Sequence, residues 1–394
     1  MKKRILFLMS DTGGGHRASA QAIEEAIHYL YPNMYEVFIE DIWKRHTPWP
    51  INKIPNSYSW LTGPGLPLWK LMWTSSSQFK AHKLVLPSIS PILERKIIRY
   101  LKLVRPDIVV SVHPLMNHLT LKWLARAKLD IPFVTVVTDM VTLHPLWIYP
   151  RVTCCIVPTE AARDFAIKHG MRPEKVEVCG QPVSLKFSTM PANKEKIREK
   201  LGLDLHRRAV LVIGGGEGSV RVFDIARAIS QTAPQAQLMI VSGRNKALKE
   251  KLEAVKWEIP TKIYGFVNNM PELMRAADIL VTKAGPGTIS EAFIAGLPPI
   301  IFGYIPGQEQ GNVTYVQQHE AGAYAETPAE IAQLVLSWMD PNNSILQQMA
   351  HNAAKLAKPK ASLMIATKIC SLIKDRHQVH AGRLETSNTY RIPM

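Results

Sequence analysis

Residues 279–312 read ILVTKAGPGTISEAFIAGLPPIIFGYIPGQEQGN, and the rest of the chain makes most sense as support for this stretch. An apolar run, Ile279 to Val281, feeds Gly285-Pro286-Gly287, and Thr288 then opens a helical pattern with Glu291 three residues on. That predicts a strand, a sharp turn and a capped helix start, with Thr288 and Glu291 each satisfying an orphan amide. A second apolar run, Pro299 to Phe302, ends in the polar loop Gly307-Gln308-Glu309-Gln310-Gly311-Asn312. Ligands of open parallel sheets collect beyond the carboxyl ends of the strands, where both clusters fall. Glycines let backbone amides approach an anion, while Gln308 and Glu309 can divide the donors and acceptors of a polyol. Two readings stay open on spacing alone: a nucleotide-sugar site, or an ordinary strand-helix-strand unit with polar loops.

Upstream, Ala209 to Ile213 is a strand feeding Gly214-Gly215-Gly216-Glu217-Gly218, with a helix from Val220. The amino terminus does the same: Ile5 to Met9, then Gly13-Gly14-Gly15-His16, then a helix with Ala18, Ala22, Ile23, Ala26 and Ile27 on its apolar side. The duplication is architectural, since no repeat of letters accompanies it. The fold class expected is α/β, with two Rossmann-like domains facing an interdomain cleft. The boundaries expected are 1–183, a connection over 184–205, a second domain over 206–355, a helix over 356–375 and a flexible tail over 376–394. In the second domain Arg244 offers a donor fork for phosphate, and Phe266 or Val267 can border a base. No G-x-x-x-x-G-K-[ST] loop occurs, which argues against ATP hydrolysis of that class.

In the first domain Gly13, Gly15 and Ala18 satisfy the G-x-G-x-x-A form, and Glu40 sits at a plausible ribose distance, so an NAD-dependent oxidoreductase has to be weighed. His16 fits that reading poorly, because no dinucleotide fingerprint needs an imidazole there. It reads three ways: general base, phosphate or turn contact, or structural histidine. His113, Asp139 and His144 also fall near strand-to-helix turns, with Trp147 beyond. Their spacing gives no metal-ligand pattern, and no metal is expected. Asp139 reads instead as a residue that orients a base or accepts a substrate hydroxyl.

The chain has 394 residues, 48 Lys plus Arg against 32 Asp plus Glu, and a formal charge of +16. That length suits two domains, and the charge attracts polyanions without saying which kind. The four cysteines, Cys154, Cys155, Cys179 and Cys370, read as buried free thiols. Residues 43–80 carry Trp43, Trp49, Trp60, Trp69 and Trp73 among several prolines and basic residues. Such a segment suits a lipid-water interface, or else it is a loop whose aromatics pack on its own domain. A basic amphipathic helix over 93–103 is the other candidate for membrane attachment.

Five motifs in order then carry a resemblance: DTGGGH at 11–16, VVTDMVTLHPLW at 136–147, GGGEG at 214–218, TKAGPGTISEA at 282–292 and GYIPGQEQGN at 303–312. Together they closely resemble the monogalactosyldiacylglycerol synthase family, related to bacterial diacylglycerol glucosyltransferases and MurG-type enzymes. The resemblance covers about residues 3–373. It implies a GT-B fold and inverting transfer of galactose from UDP-galactose to 1,2-diacylglycerol, with no cofactor beyond the donor. UDP-glucose is the alternative donor, although GGGEG and PGQEQGN lean toward galactose. A non-catalytic lipid-binding scaffold is the remaining alternative.

By motif position the resemblance implies His16 as base with Asp139 orienting it, and Gly214 to Gly218 with Gly287 and Thr288 at the diphosphate. It implies Glu291 at the ribose, and Gln308, Glu309 and Asn312 toward the sugar. Gly14, Gly15, His113, His144 and Trp147 would line the acceptor side, while Trp60, Trp69 and Trp73 would meet the bilayer. Anionic membrane lipids are expected partners and nucleic acid is not. Plant members carry a transit segment that is missing here, which implies a bacterial enzyme on the cytoplasmic face of the cell membrane.

Overall fold

In this computed structural model, described for residues 2–47, 49, 51–78, 94–189, 193–216 and 218–373, the apolar runs form two six-stranded sheets. The first joins β1 (Lys3–Met9), β2 (Tyr35–Asp41), β3 (Ile108–Ser111), β4 (Phe133–Val136), β5 (Cys154–Val157) and β6 (Val176–Val178), in the order β2-β1-β3-β4-β5-β6. The second joins β7 (Arg208–Ile213), β8 (Ala236–Val241), β9 (Thr261–Tyr264), β10 (Ile279–Lys283), β11 (Pro299–Gly303) and β12 (Ala323–Tyr324), in the order β12-β11-β10-β7-β8-β9. Every pairing is parallel. Parallel strands linked through helices are covered on both faces, so their sequences are apolar without alternation. Ile5 to Met9 and Val210 to Val212 accordingly reach no solvent at all. Each such side chain contributes about 1.5–3 kcal/mol relative to leaving it exposed.

The strand orders locate the functional loops. Strand order reverses between β1 and β3 in one sheet and between β7 and β10 in the other, and crevices open at such points. Gly13 to Gly15 and His113 flank the first crevice; Gly214 to Gly218 and Gly285 to Gly287 flank the second.

The chain returns to its first sheet at the end. A helix over 361–373 packs Ile365, Ile369, Cys370 and Ile373 against Ile5, Phe7 and Ile108. Beside the crossing, the Ser362 hydroxyl donates to the Val183 carbonyl at 2.6 Å and accepts the Val183 N–H at 3.0 Å. The four cysteines are buried free thiols. The basic helix runs over 94–104, while Leu93, Lys80, Glu217 and the tail over 376–394 lie outside the described residues.

One local expectation is corrected. The helix after β10 runs Pro286–Ala295 with Gly285 as its N-cap and no side-chain cap, so Thr288 and Glu291 form no capping box. Proline suits the first helical position because its missing N–H would be an orphan anyway, and it starts the helix three residues early. The amides of Gly287 and Thr288 are consequently left without a side-chain partner.

Candidate active site

On the first domain, Gly14 adopts a left-handed φ of 81° and starts the helix Gly15–Leu30, which places His16 at the crevice mouth. His16 Nδ1 lies 3.0 Å from Thr138 Oγ1, and the ring also bonds the Val112 backbone. Ring centroids of His113 and Trp147 stand 4.6 Å and 6.2 Å away. Burial among these groups pushes His16 down to about 4, so its ring is neutral near pH 7.

Asp139 does not orient that ring. Its Oδ2 accepts from the Trp147 indole at 2.6 Å, and its Oδ1 accepts from the Gln308 amide at 3.0 Å. Thr138 and Asp139 follow the end of β4 at Val136 with their side chains on different partners, so Thr138 takes the place expected of the aspartate. Burial raises Asp139 to about 6 against the opposing pull of those two hydrogen bonds.

Three residues expected on the acceptor side have partners within the fold. His113 caps the helix Pro114–Arg126, its Nδ1 accepting from Leu115 N–H at 3.3 Å, and its Nε2 lies 3.3 Å from Thr12 Oγ1. His144 caps the turn Pro145–Trp147 in the same way, Nδ1 accepting from Leu146 N–H at 3.1 Å. Each histidine precedes a proline, which holds it extended in the N-cap geometry, and each thereby spends its Nδ1 on the backbone. Trp147 is fully buried and serves Asp139.

On the second domain, the glycine loop folds back on the turn after β8. Gly216 O accepts from Arg244 N–H at 2.9 Å, and a Cβ on Gly218 would stand 2.1 Å from Ser242 O. Arg244 stacks its guanidinium 4.4 Å over the exposed ring of Phe266 and reaches the field of Asp11 across the cleft. Val267 is partly buried and packs against the domain core. Glu291 is half-buried and unpaired, and burial raises it to about 8. Glu309 Oε2 accepts from Ile305 N–H at 2.8 Å, and burial raises this carboxyl to about 7 against the pull of Lys283. Asn312 is a structural residue: its amide donates to the Ala284 carbonyl at 2.9 Å and holds the turn after β10.

The two faces meet. Gln308 donates to Asp139, and its carbonyl oxygen accepts from Tyr58 O–H at 3.3 Å. Trp69 donates its indole N–H to Pro306 O at 3.2 Å, and Trp73 fills the space a Cβ on Gly307 would need. Trp69 and Trp73 therefore turn inward, contrary to the bilayer contact expected of them. The outward face of the helix Leu66–Gln78 is Leu68, Leu71 and Met72, with Trp60 exposed nearby. Thr138, Tyr58 and Lys283 escaped sequence reasoning. Thr138 stood inside a quoted motif, but the carboxylate beside it drew the role.

Glu40, the residue that would hold a dinucleotide ribose, is occupied by His46, Tyr100 and Arg45 at 3.2, 3.0 and 3.4 Å. Among the described residues no three His, Cys, Asp or Glu side chains gather as a metal-ligand set, and no helix is long and apolar enough to cross a membrane.

Two parallel sheets with facing switch points define a GT-B glycosyltransferase architecture. MurG of Acinetobacter baumannii shares it at a TM-score of 0.62 and 16% identity, over 94% of this chain and 99% of that one. HepE of Anabaena, solved with UDP and glucose, shares it at 0.52 and 16% identity, over 96% and 100%. Residues 16–183 match the Monogalactosyldiacylglycerol (MGDG) synthase family, and residues 209–366 match the glycosyltransferase family 28 C-terminal domain. The monogalactosyldiacylglycerol synthase of Spinacia oleracea is 43% identical over 95% of this chain and 73% of its own length; synthase 1 of Arabidopsis thaliana is 41% identical over 96% and 72%. The chain belongs to the monogalactosyldiacylglycerol synthase family.

These relatives correct one expectation. Both are plant enzymes named chloroplastic, which overturns the placement of this chain on the cytoplasmic face of a bacterial membrane.

Proposed function

We infer that this protein transfers galactose from UDP-galactose to the free hydroxyl of 1,2-diacylglycerol, with inversion at the anomeric carbon. The observation that carries this is the interdomain cleft in which Thr138, bonded to His16, is followed directly by Asp139, bonded to Gln308. A base from one lobe and a polyol-binding loop from the other thus lie one residue apart. Residues 1–183 form the acceptor and membrane-associating part of this scheme, and 206–355 the UDP-sugar part. Residues 184–205 connect them.

A glycerol hydroxyl is a poor nucleophile while it keeps its proton. The neutral imidazole of His16 takes that proton as the oxygen attacks the anomeric carbon from the face opposite UDP. The bond from the anomeric carbon to the diphosphate breaks, and the new charge on UDP meets the uncapped amides of Gly287 and Thr288 and the glycine loop. The dipole of that helix adds roughly 0.3–1 kcal/mol in exposed settings. Glu291 lacks an internal donor that a ribose hydroxyl would supply. Arg244 and Phe266 sit where the nucleotide enters. Gln308 and Glu309 address the hexose hydroxyls. No group beyond the donor is assigned a step.

The acceptor lives in a bilayer, and the outward Leu68, Leu71 and Met72 with Trp60 are the surface that reaches it. Arg95, Lys96, Arg99 and Lys102 are exposed on the helix 94–104 and meet anionic headgroups, each worth about 1 kcal/mol near such a surface. The test is a purified-enzyme assay with diacylglycerol vesicles and either UDP-galactose or UDP-glucose. Galactolipid as the main product supports the reading. A glucose preference replaces the sugar, and no glycolipid from either donor removes the activity.

A further inference from the structure

The insertion before helix 94–104 has no regular helical period between Pro48 and Pro67, and it folds as a 3-10 segment Ile51–Ser57, a short turn Tyr58–Leu61 and the helix Leu66–Gln78. On that helix Trp69, Trp73 and Ser76 are spaced to share one side. They touch both domains. Ser76 Oγ lies 3.0 Å from His144 Nε2, and the ring of Trp73 meets that of His144 edge-on at 4.9 Å. Across the cleft, Trp69 binds Pro306 O, and Trp73 covers Gly307, whose φ of 82° is one that L side chains rarely adopt. The ring of Tyr58 packs edge-on against Trp69 at 5.5 Å. Its other side lies against Gly13, where a Cβ would stand 3.0 Å from Tyr58 Cε1. The half-buried Tyr58 donates its hydroxyl to Gln308 Oε1.

We propose that Tyr58, with Trp69 and Trp73 behind it, is a positioning residue that sets the amide of Gln308 for the hexose of the donor. An amide can turn over by half a revolution and exchange its oxygen for its nitrogen, and a sugar hydroxyl distinguishes the two. Tyr58 and Asp139 remove that freedom: the phenol supplies a donor to one end, the carboxylate an acceptor to the other. Trp69 and Trp73 hold the backbone of the same loop at Pro306 and Gly307, so the side chain is aimed from a fixed base. The aromatic row belongs to the first domain and the loop to the second, so the hexose pocket is complete only while the lobes are clasped. The glycine turn that carries His16 touches the same tyrosine at Gly13, which ties the placement of the base to that of the sugar.

This rests on the donor site proposed above, but it is tested by binding and not by glycolipid synthesis. Calorimetry on the full chain would compare UDP with UDP-galactose for wild type, Tyr58→Phe, Gln308→Ala and the double variant. Phenylalanine keeps the ring against Gly13 and removes only the hydroxyl. UDP-galactose affinity should fall about fivefold in Tyr58→Phe, the size of one net hydrogen bond, with UDP affinity unchanged. The double variant should be no weaker than Gln308→Ala, because the hydroxyl acts through that amide. Equal losses for UDP and UDP-galactose, no loss for either, or losses that add in the double variant would each overturn the proposal. Trp69→Phe, which loses the indole donor but keeps an aromatic ring, should reproduce the selective loss. If wild type binds UDP-galactose more tightly than UDP yet makes no galactolipid, the activity falls and the positioning role is still read from the same titrations.

Discussion

The two triple-glycine turns occupy equivalent places, each following the first strand of its sheet at the switch point, yet their glycines are needed for different reasons. After β1, a Cβ on Gly14 or Gly15 would meet nothing within 4 Å, and the helix begins at once. After β7, a Cβ on Gly214 would stand 2.3 Å from Ser219 N and one on Gly218 2.1 Å from Ser242 O, and the helix waits until Arg221. In the first turn Gly14 and Gly15 stand beside open space, where a substrate can come close to His16, while Gly13 lies against Tyr58. The second is glycine because the backbone is folded against its neighbours into a cradle. The same letters therefore answer to access at Gly14 and Gly15 and to packing at Gly214 and Gly218.

The largest expected effect tests the access side. His16→Ala should lower turnover by about 10²–10⁴-fold, the usual contribution of a positioned base, while calorimetry finds UDP binding intact. Near-normal turnover would leave the open turn without its chemical purpose. Gly218→Ala tests the packing side. Its φ of 73° and the Ser242 carbonyl both oppose a side chain, so the variant should lose about 1–3 kcal/mol from backbone strain alone and much of its UDP affinity. Gly15→Ala has no such conflict, and should change thermal stability little while reducing kcat/KM for the acceptor. If the two alanines behave alike, the contrast between the turns is broken.

Asp139 sharpens the comparison through pH. Burial raises it to about 6 and Glu309 to about 7, each charge disfavouring the other, whereas His16 is pushed down to about 4. As pH falls from 8 to 5 the carboxyls gain protons while the imidazole stays neutral, so the acid limb of kcat/KM belongs to the carboxyl pair. Asp139→Asn removes a charge that adds to the effect of burial on Glu309, and the acid limb should move to lower pH. An unmoved limb would separate Asp139 from the donor loop despite the hydrogen bond from Gln308.

Most of the architecture was legible because parallel strands announce themselves as unbroken apolar runs, and because glycine turns mark strand ends. Ile279 to Val281, Gly285 to Gly287 and the loop at Gln308 fall where the letters placed them. What could not be read was direction. Thr138 and Asp139 are adjacent, and only the folded backbone beyond β4 decides which of them meets His16. His113 and His144 looked equally suited to a cleft, but a following proline turned both into helix caps. The Thr288 cap failed for a related reason, since Pro286 claimed the first helical position.

Trp69 and Trp73 show the same limit on the helix proposed to meet the membrane, and they set the smallest expected effect. Composition alone names tryptophan as the interfacial residue, but helical spacing divides Leu66–Gln78 into an inward stripe that binds Pro306 and Gly307 and an outward one of Leu68, Leu71 and Met72. Leu71 is 66% exposed, so replacing it by Glu costs the fold little. A carboxylate there must be desolvated and brought toward anionic headgroups. Leu71→Glu should weaken flotation with anionic diacylglycerol vesicles several-fold, roughly 1 kcal/mol, by loss of apolar contact and like-charge repulsion. UDP binding should stay at the wild-type value. Trp73→Phe should do the reverse, lowering UDP-galactose affinity with vesicle binding unchanged, since its ring faces the donor loop. If flotation instead follows Trp73 and ignores Leu71, the helix lies on the bilayer by its other side, and the contact with Gly307 opens whenever the enzyme is at the membrane.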